Sequence, residues 1–243
     1  MVDPTSGTPV TEIKLLSADL LTPVMSALVA EFERTTKYRV RLILATTGEV
    51  TQRVHAGESA DVAIMQRPAM KRLAQEGKIM GSTIVDLGRS SVGVGVRAGA
   101  PKPDLTSVEG FIRSLMLAKS IGYTDPRRGG GSGVYFAKLL ERLGLAEQLQ
   151  SKIRYPRSGN SAAEHIAEGE IDFGIAQPME ILAKREIELA GVLPRELQDP
   201  ELFVYSAGIL REAEQPDAAT SLIQSFSGAV AAVIIRSKGL DPS

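Results

Sequence analysis

Four short stretches of this chain combine small, hydroxyl-bearing and glycine residues: Ser17-Ala18-Asp19, Ala45-Thr46-Thr47-Gly48, Arg127 to Gly133, and Arg157 to Ser161. Each follows an apolar run and precedes a helical pattern, so each is expected at a helix N-terminus. Exposed amides and the helix dipole make such ends favourable for anions. Two stretches carry capping-box spacing, Thr46 with Glu49 and Ser161 with Glu164, in which hydroxyl and carboxylate satisfy each other's backbone donors. Any one of these hydroxyls is explained as a helix cap. Four together, two from each half of the chain, point to an anion held by amides and hydroxyls. Arg67, Arg127, Arg128 and Arg157 lie beside them. A guanidinium fork suits a carboxylate or a phosphate, although surface arginines are often simply solvated.

Other chemistries are excluded by what the chain lacks. The glycine run Gly129–Gly133 has no Gly-Lys-Ser/Thr ending; no lysine would reach a terminal phosphate, and nucleotide hydrolysis is not expected. There is no Cys, and His55 and His165 are the only histidines. Disulfides, thiolate metal centres, a Cys nucleophile and a multi-histidine site are therefore excluded. Both histidines precede a Gly on an expected helix, away from the loop side, and read as surface or boundary residues. Asp61 and Asp172 open their strands and read as structural, at the opposite sheet edge. No Ser-His-Asp set or carboxylate pair can be assembled from spacing, and no metal or cofactor is expected. Lys plus Arg number 28 against 29 Asp plus Glu, a formal net charge of −1, so no basic face for nucleic acid is implied. No window approaches the roughly 20 apolar residues of a membrane span, so direct insertion is not expected. Met1 to Thr11 is polar, without a signal-peptide core. The chain thus reads either as cytoplasmic or as a mature periplasmic protein with its leader removed.

The elements that must position these loops are announced by a repeated phrase. Residues 56–66 read AGESADVAIMQ and residues 168–177 read EGEIDFGIAQ. In both, a helix-like stretch ends at Gly57 or Gly169, an Asp follows, and an apolar run closes with Gln. Two copies about 110 residues apart are too distant for a solenoid period and suggest two similar α/β lobes with a ligand cleft between them. A chain of 243 residues, 43% hydrophobic and 23% charged, can bury one large core or two modest ones. Strands are expected at 13–16, 39–44 and 61–65, alternating with helices from Thr22 (the N-cap, with Pro23 in the first turn) to about 34, from 49 to 55, and over 68–77. This order implies a mostly parallel sheet, whose carboxyl edge would gather the loops where open α/β folds bind ligands. Residues 84–96, where Gly alternates with Val, read as one strand crossing between lobes. The second lobe follows with helix 107–118, strand 120–123, helix 133–143, strand 152–155, helix 161–168 and strand 171–176. Residues 202–209 cross back, and one terminal helix, 216–237, packs on the first lobe. The lobes are expected to comprise 1–88 with 203–243, and 89–202.

Taken in order, Ser17-Ala18-Asp19-Leu20, Phe32 to Thr36, Ala45 to Gly48, Ala60-Asp61-Val62, Tyr123 to Pro126, Gly131-Ser132-Gly133, Leu139 to Gly144 and Gly169 to Ile175 form a pattern. It resembles the molybdate-binding family of bacterial solute-binding proteins, from Glu12 to Gly239. The resemblance implies a type 2 periplasmic-binding fold: two Rossmann-like α/β lobes, two crossover strands and closure on a ligand. It also implies a monomer that serves an ABC permease. Carried across, it places the ligand against Ser17, Ala18, Asp19, Thr46, Thr47 and Gly48 of lobe one. From lobe two it adds Arg128, Gly131, Ser132, Ser158, Gly159, Asn160 and Gln177. Asp19 stands where the family usually has a small hydroxyl residue, a tyrosine common near Gln177 is replaced, and the pair Arg127-Arg128 is unlike a neutral oxyanion pocket. These departures favour a small organic carboxylate over a metal oxyanion. The same fold family includes aconitate-isomerase-like proteins, so an isomerase on a polycarboxylate, with Asp19 as general base, is the alternative. A cytoplasmic anion sensor is the third.

Overall fold

A computed structural model describes residues 10–128, 131–156, 159–199 and 201–243, leaving aside the side chains of 128 and 159–162. In chain order its elements are β1 (Glu12–Ala18), α1 (Thr22–Thr35), β2 (Arg39–Ala45), α2 (Thr47–His55), β3 (Val62–Gln66), α3 (Arg67–Gln75), β4 (Val85–Arg89) and β5 (Gly93–Arg97). Then come α4 (Val108–Leu117), β6 (Ile121–Gly122), α5 (Gly131–Arg142), α6 (Ala146–Leu149), β7 (Ile153–Arg154), α7 (Gly159–Ala167), β8 (Phe173–Ala176) and α8 (Pro178–Ile181). The chain closes with β9 (Ile187–Val192), β10 (Val204–Ile209), α9 (Pro216–Ser225), α10 (Ala229–Ser237) and β11 (Asp241–Pro242). They form two compact units, Met1–Arg89 with Glu201–Ser243, and Ser90–Pro200.

Unit one is built on a six-stranded sheet of order β11-β4-β10-β3-β1-β2. β1 is parallel to β2 and β3, while β10 runs antiparallel to both β3 and β4. In β1, Ile13, Leu15 and Leu16 are fully buried. α1 buries Val24, Met25, Leu28, Val29 and Phe32, a helical stripe that must face the core. Val50 and Val54 of α2 and Met70 and Leu73 of α3 join Leu16, Ala63 and Met65 in one cluster. Each of the valine, leucine, methionine and phenylalanine side chains, removed from water, contributes roughly 1.5–3 kcal/mol.

Unit two has a five-stranded sheet of order β7-β6-β8-β5-β9. β7, β6 and β8 are parallel, and β5 is antiparallel to β8 and β9. Phe136 of α5 sits edge-on to Phe111 of α4 and to Tyr123 beyond β6, at ring-centroid distances of 6.5 and 5.1 Å. Ile166 of α7 packs with Ile171, Ile181 and Ile187.

Several expectations from sequence need correction. Both sheets are mixed rather than mostly parallel, because β10 and β5 enter antiparallel. The segment 84–96 is two strands: β4 pairs with β10 and β11, whereas β5 pairs with β8 and β9, so the partners change at Ser90–Val92. Thr22 does not cap α1. A 3-10 turn, Asp19–Leu21, leads into the helix, and the Thr22 hydroxyl donates to the Asp19 carbonyl. The terminal helix is α9 and α10, bent by 67°: the amides of buried Phe226 and exposed Ser227 close α9 on the carbonyls of Ile223 and Gln224. No single helix among the described residues is long and apolar enough to cross a membrane.

Candidate functional site

In unit one the register sets Ala18 beside Ala45, and Ser17 beside both Leu44 and Ile64. β1, β2 and β3 therefore end side by side, and Asp19, Thr46 and Arg67 continue from one sheet edge. Thr46 caps α2. Its hydroxyl accepts from the Glu49 amide at 3.2 Å, while the Glu49 carboxylate accepts from the Thr46 amide at 3.0 Å and hydroxyl at 3.1 Å. The box expected from spacing is formed, and these bonds, led by the Thr46 amide, hold the Glu49 carboxyl below its ordinary range. The amides of Thr47 and Gly48, at the first two helical positions, have no acceptor within the helix.

The neighbouring loop is less open than its sequence suggests. Ser17 lies within β1, fully buried, its hydroxyl donating to the Ala18 carbonyl at 3.3 Å. Ala18 is buried too, and Asp19 is exposed. Arg67 donates to Asp86 at 2.8 Å and to Glu201, and Asp86 also accepts from Ser206 at 2.6 Å. Its charge is met within unit one.

In unit two Gly122 pairs with both Arg154 and Gly174, so β6, β7 and β8 also share an edge. Tyr123 and Tyr155 each follow their strand. The two rings meet edge to face, centroids 5.3 Å apart, with hydroxyls 3.4 Å apart. Tyr123 is buried and Tyr155 is 45% exposed. Burial, reinforced by Tyr155, pushes the Tyr123 phenol far above its ordinary value. Asp125 accepts from the Arg127 backbone amide at 3.0 Å, from Nε at 3.0 Å and from Nη2 at 2.7 Å. Gly131, Ser132 and Gly133 open α5. A Cβ at Gly133 would stand 2.0 Å from the Thr124 carbonyl oxygen, so only glycine lets the helix start against that strand end. Ser132 is buried. Gln177 is buried at the start of α8, and its amide donates to the Glu180 carboxylate at 2.9 Å.

Of the other sequence-derived residues, Arg157, Ser158, Gly129 and Gly130 lie outside the described residues, as do the side chains of Arg128, Asn160 and Ser161 and hence the Ser161–Glu164 box. The backbone of Gly159 and Asn160 opens α7. The structure adds Tyr155 and Asp125 to the residues marked by sequence, Asp125 as the partner of Arg127, one of the loop arginines named there. Their signal was position: a tyrosine directly after each of two neighbouring parallel strands.

The opposite edges hold the structural carboxylates. Asp61 accepts from the amides of Lys14 at 2.8 Å and Gln215 at 2.7 Å, and Asp172 from that of Lys119 at 2.7 Å. His55 pairs with Glu76 and His165 with Glu170, each at 2.5 Å. His165, Glu168 and Glu170 bring three potential ligand atoms within 4.8 Å of one another. A cavity of about 330 Å³ lies at this edge of unit one, among Glu58, Lys78, Arg211 and Glu214.

A curated relative, aconitate isomerase from Pseudomonas sp., is 30% identical over 240 residues, 96% of this chain and 89% of that protein. A substrate-binding domain from Clostridium difficile superposes with a TM-score of 0.83 at 16% identity, covering 96% of this chain and 99% of that one. The periplasmic molybdate-binding protein of Azotobacter vinelandii gives 0.74 at 20% identity, covering 95% and 99%. At these identities the structural likeness speaks for the fold, which is that of the type 2 periplasmic-binding proteins. The sequence model of the bacterial extracellular solute-binding proteins matches residues 13–241, and the chain belongs to that family.

Proposed function

We propose that this chain captures a small anion with the strand-end loops of its two units and delivers it to an ABC-type permease, the units closing on the ligand. One observation carries the reading: in each unit, neighbouring parallel strands end where a hydroxyl- or glycine-opened helix begins, α2 at Thr46-Thr47-Gly48 and α5 at Gly131-Ser132-Gly133. The amides of such first turns can bind an anion without a metal or a fixed positive charge. Ser17 contributes through the backbone that follows it, since its hydroxyl is buried in the sheet. The molybdate binding named for the Azotobacter relative supports the anion class.

The test is a thermal-shift series with molybdate, sulfate, phosphate, citrate and the aconitate isomers. A ligand at about 100 times its Kd should add about 2.7 kcal/mol of stability. A melting temperature unmoved by every anion overturns the reading.

The relative named aconitate isomerase supports a second reading, turnover of a small polycarboxylate on the same edge. The exposed Asp19 would be its base. Isomerisation of aconitate by the native chain, abolished in Asp19→Asn, would establish it, and unchanged turnover in that variant would remove Asp19 from the role.

A further inference from the structure

The carboxyl edge of unit two carries a second recognition element, apart from the amides of α5. Tyr123 is 2% exposed and its hydroxyl faces that of Tyr155 at 3.4 Å. A buried hydroxyl needs an acceptor for its proton. When Tyr123 donates to the Tyr155 oxygen, the Tyr155 proton is free to point away from the protein, and Tyr155 is 45% exposed. Two residues beyond Tyr123, Asp125 fixes Arg127. Its side chain is 13% exposed against 83% for the arginine, and it engages Nε and Nη2. Nη1 makes no hydrogen bond among the described residues, so one side of the guanidinium remains open. Tyr123, Asp125 and Arg127 follow β6, and Tyr155 follows the adjacent parallel β7, so the cation and the phenol stand at the same strand-end edge.

We propose that Tyr155, backed by Tyr123, and Arg127, held by Asp125, form a carboxylate-reading pair that selects small organic polycarboxylates over tetrahedral metal oxyanions. This rests on the anion-binding reading and names the substrate class at that site. A compact oxyanion is satisfied by helix amides. A polycarboxylate has a second charged group some way from the first, and needs a separate donor and cation to receive it. A held guanidinium beside a hydroxyl donor supplies both, with less ordering entropy than a free arginine would require. Both side chains are exposed enough to meet a ligand, Tyr155 at 45% and Arg127 at 83%.

Isothermal titration with citrate, trans-aconitate and molybdate distinguishes the possibilities in the native chain and in Tyr155→Phe and Arg127→Gln. The expected result is an about tenfold weaker Kd for the polycarboxylates in each variant, the size of one charge-assisted hydrogen bond, with molybdate affinity within about twofold of native. Equal losses for both anion classes, or no loss for either, overturns the selectivity role while leaving anion binding intact. A native chain that binds molybdate but no polycarboxylate also overturns it. A native chain that binds neither overturns the underlying reading as well. Tyr155→Phe leaves the Tyr123 hydroxyl facing a carbon. Arg127→Gln, changing a side chain 83% exposed, keeps the test valid should the first variant lose stability.

Discussion

The two units are near-copies at one sheet edge and unlike at the other. At the edge where β3 and β8 begin, each helix closes on a left-handed glycine, Gly57 with φ 74° and Gly169 with φ 79°. The same pair of bonds follows both times: Gly57 to Val54 and Glu58 to Arg53, then Gly169 to Ile166 and Glu170 to His165. Each is a Schellman closure, and each is followed by an Asp that accepts a backbone amide, from Lys14 in β1 for Asp61 and from Lys119 just before β6 for Asp172. At the edge where the strands end, unit one presents Asp19 and Glu49, with Arg67 already paired. Unit two presents Tyr155, Arg127 and a first turn of α5 with no acidic residue. The Gly-to-Asp part of the repeated phrase builds scaffold, and the two units differ where their strands end.

The scaffold comparison is broken most directly at its aspartates. Asp61 is 2% exposed and accepts two amides, whereas Asp172 is half-buried and accepts one. Asp61→Ala leaves two part-buried donors without their acceptor and should cost about 2–4 kcal/mol, against about 1–2 kcal/mol for Asp172→Ala. Urea unfolding of both variants checks this. Equal losses would mean that the two copies bear equal weight despite their different bonding.

The glycines should behave more alike. Gly57→Ala and Gly169→Ala each place a Cβ on a left-handed residue, at about 1–2 kcal/mol. Space does not separate them: a Cβ at Gly57 meets nothing within 4 Å, and one at Gly169 comes no nearer than 3.5 Å to the Arg97 guanidinium. Matching shifts in urea midpoint support two equivalent closures. A much larger loss at one position would show that its closure also holds something beyond its own turn.

What could be read from sequence was what short-range chemistry decides. The Thr46–Glu49 box, the glycine closures and the stripe Val24, Leu28, Phe32 each need only residues a few positions apart. The antiparallel entry of β10 between β3 and β4 was not legible, because strand pairing is a choice among distant partners. The bend at Phe226–Gly228 was hidden by an apolar pattern that continues through it. At the site, Ser17 looked like a loop hydroxyl, but β1 runs on to Ala18 and buries it. Tyr155 carries no signal of its own in the sequence, because its meaning comes from Tyr123, which follows the adjacent strand.

The smallest expected effect tests the binding edges themselves. Glu49 holds the Thr46 amide, yet its carboxylate stands at the same helix start that would receive an anion. Glu49→Gln keeps an oxygen acceptor and removes the charge. Without that repulsion an anion at α2 should bind about threefold more tightly, the scale of an exposed charge effect, and the gain should shrink as salt is raised. The same carboxyl sets a pH signature. Its pKa is lowered from 4.5 in the folded chain, so the stability it contributes is present above 4.5 and is lost as pH falls through the lowered folded value. Glu49→Gln should flatten stability against pH only in that acid window. Unit two offers no matching carboxylate at the start of α5. If Glu49→Gln leaves anion affinity unchanged at low salt while the acid window flattens, the anion is held away from α2, and unit two carries the recognition.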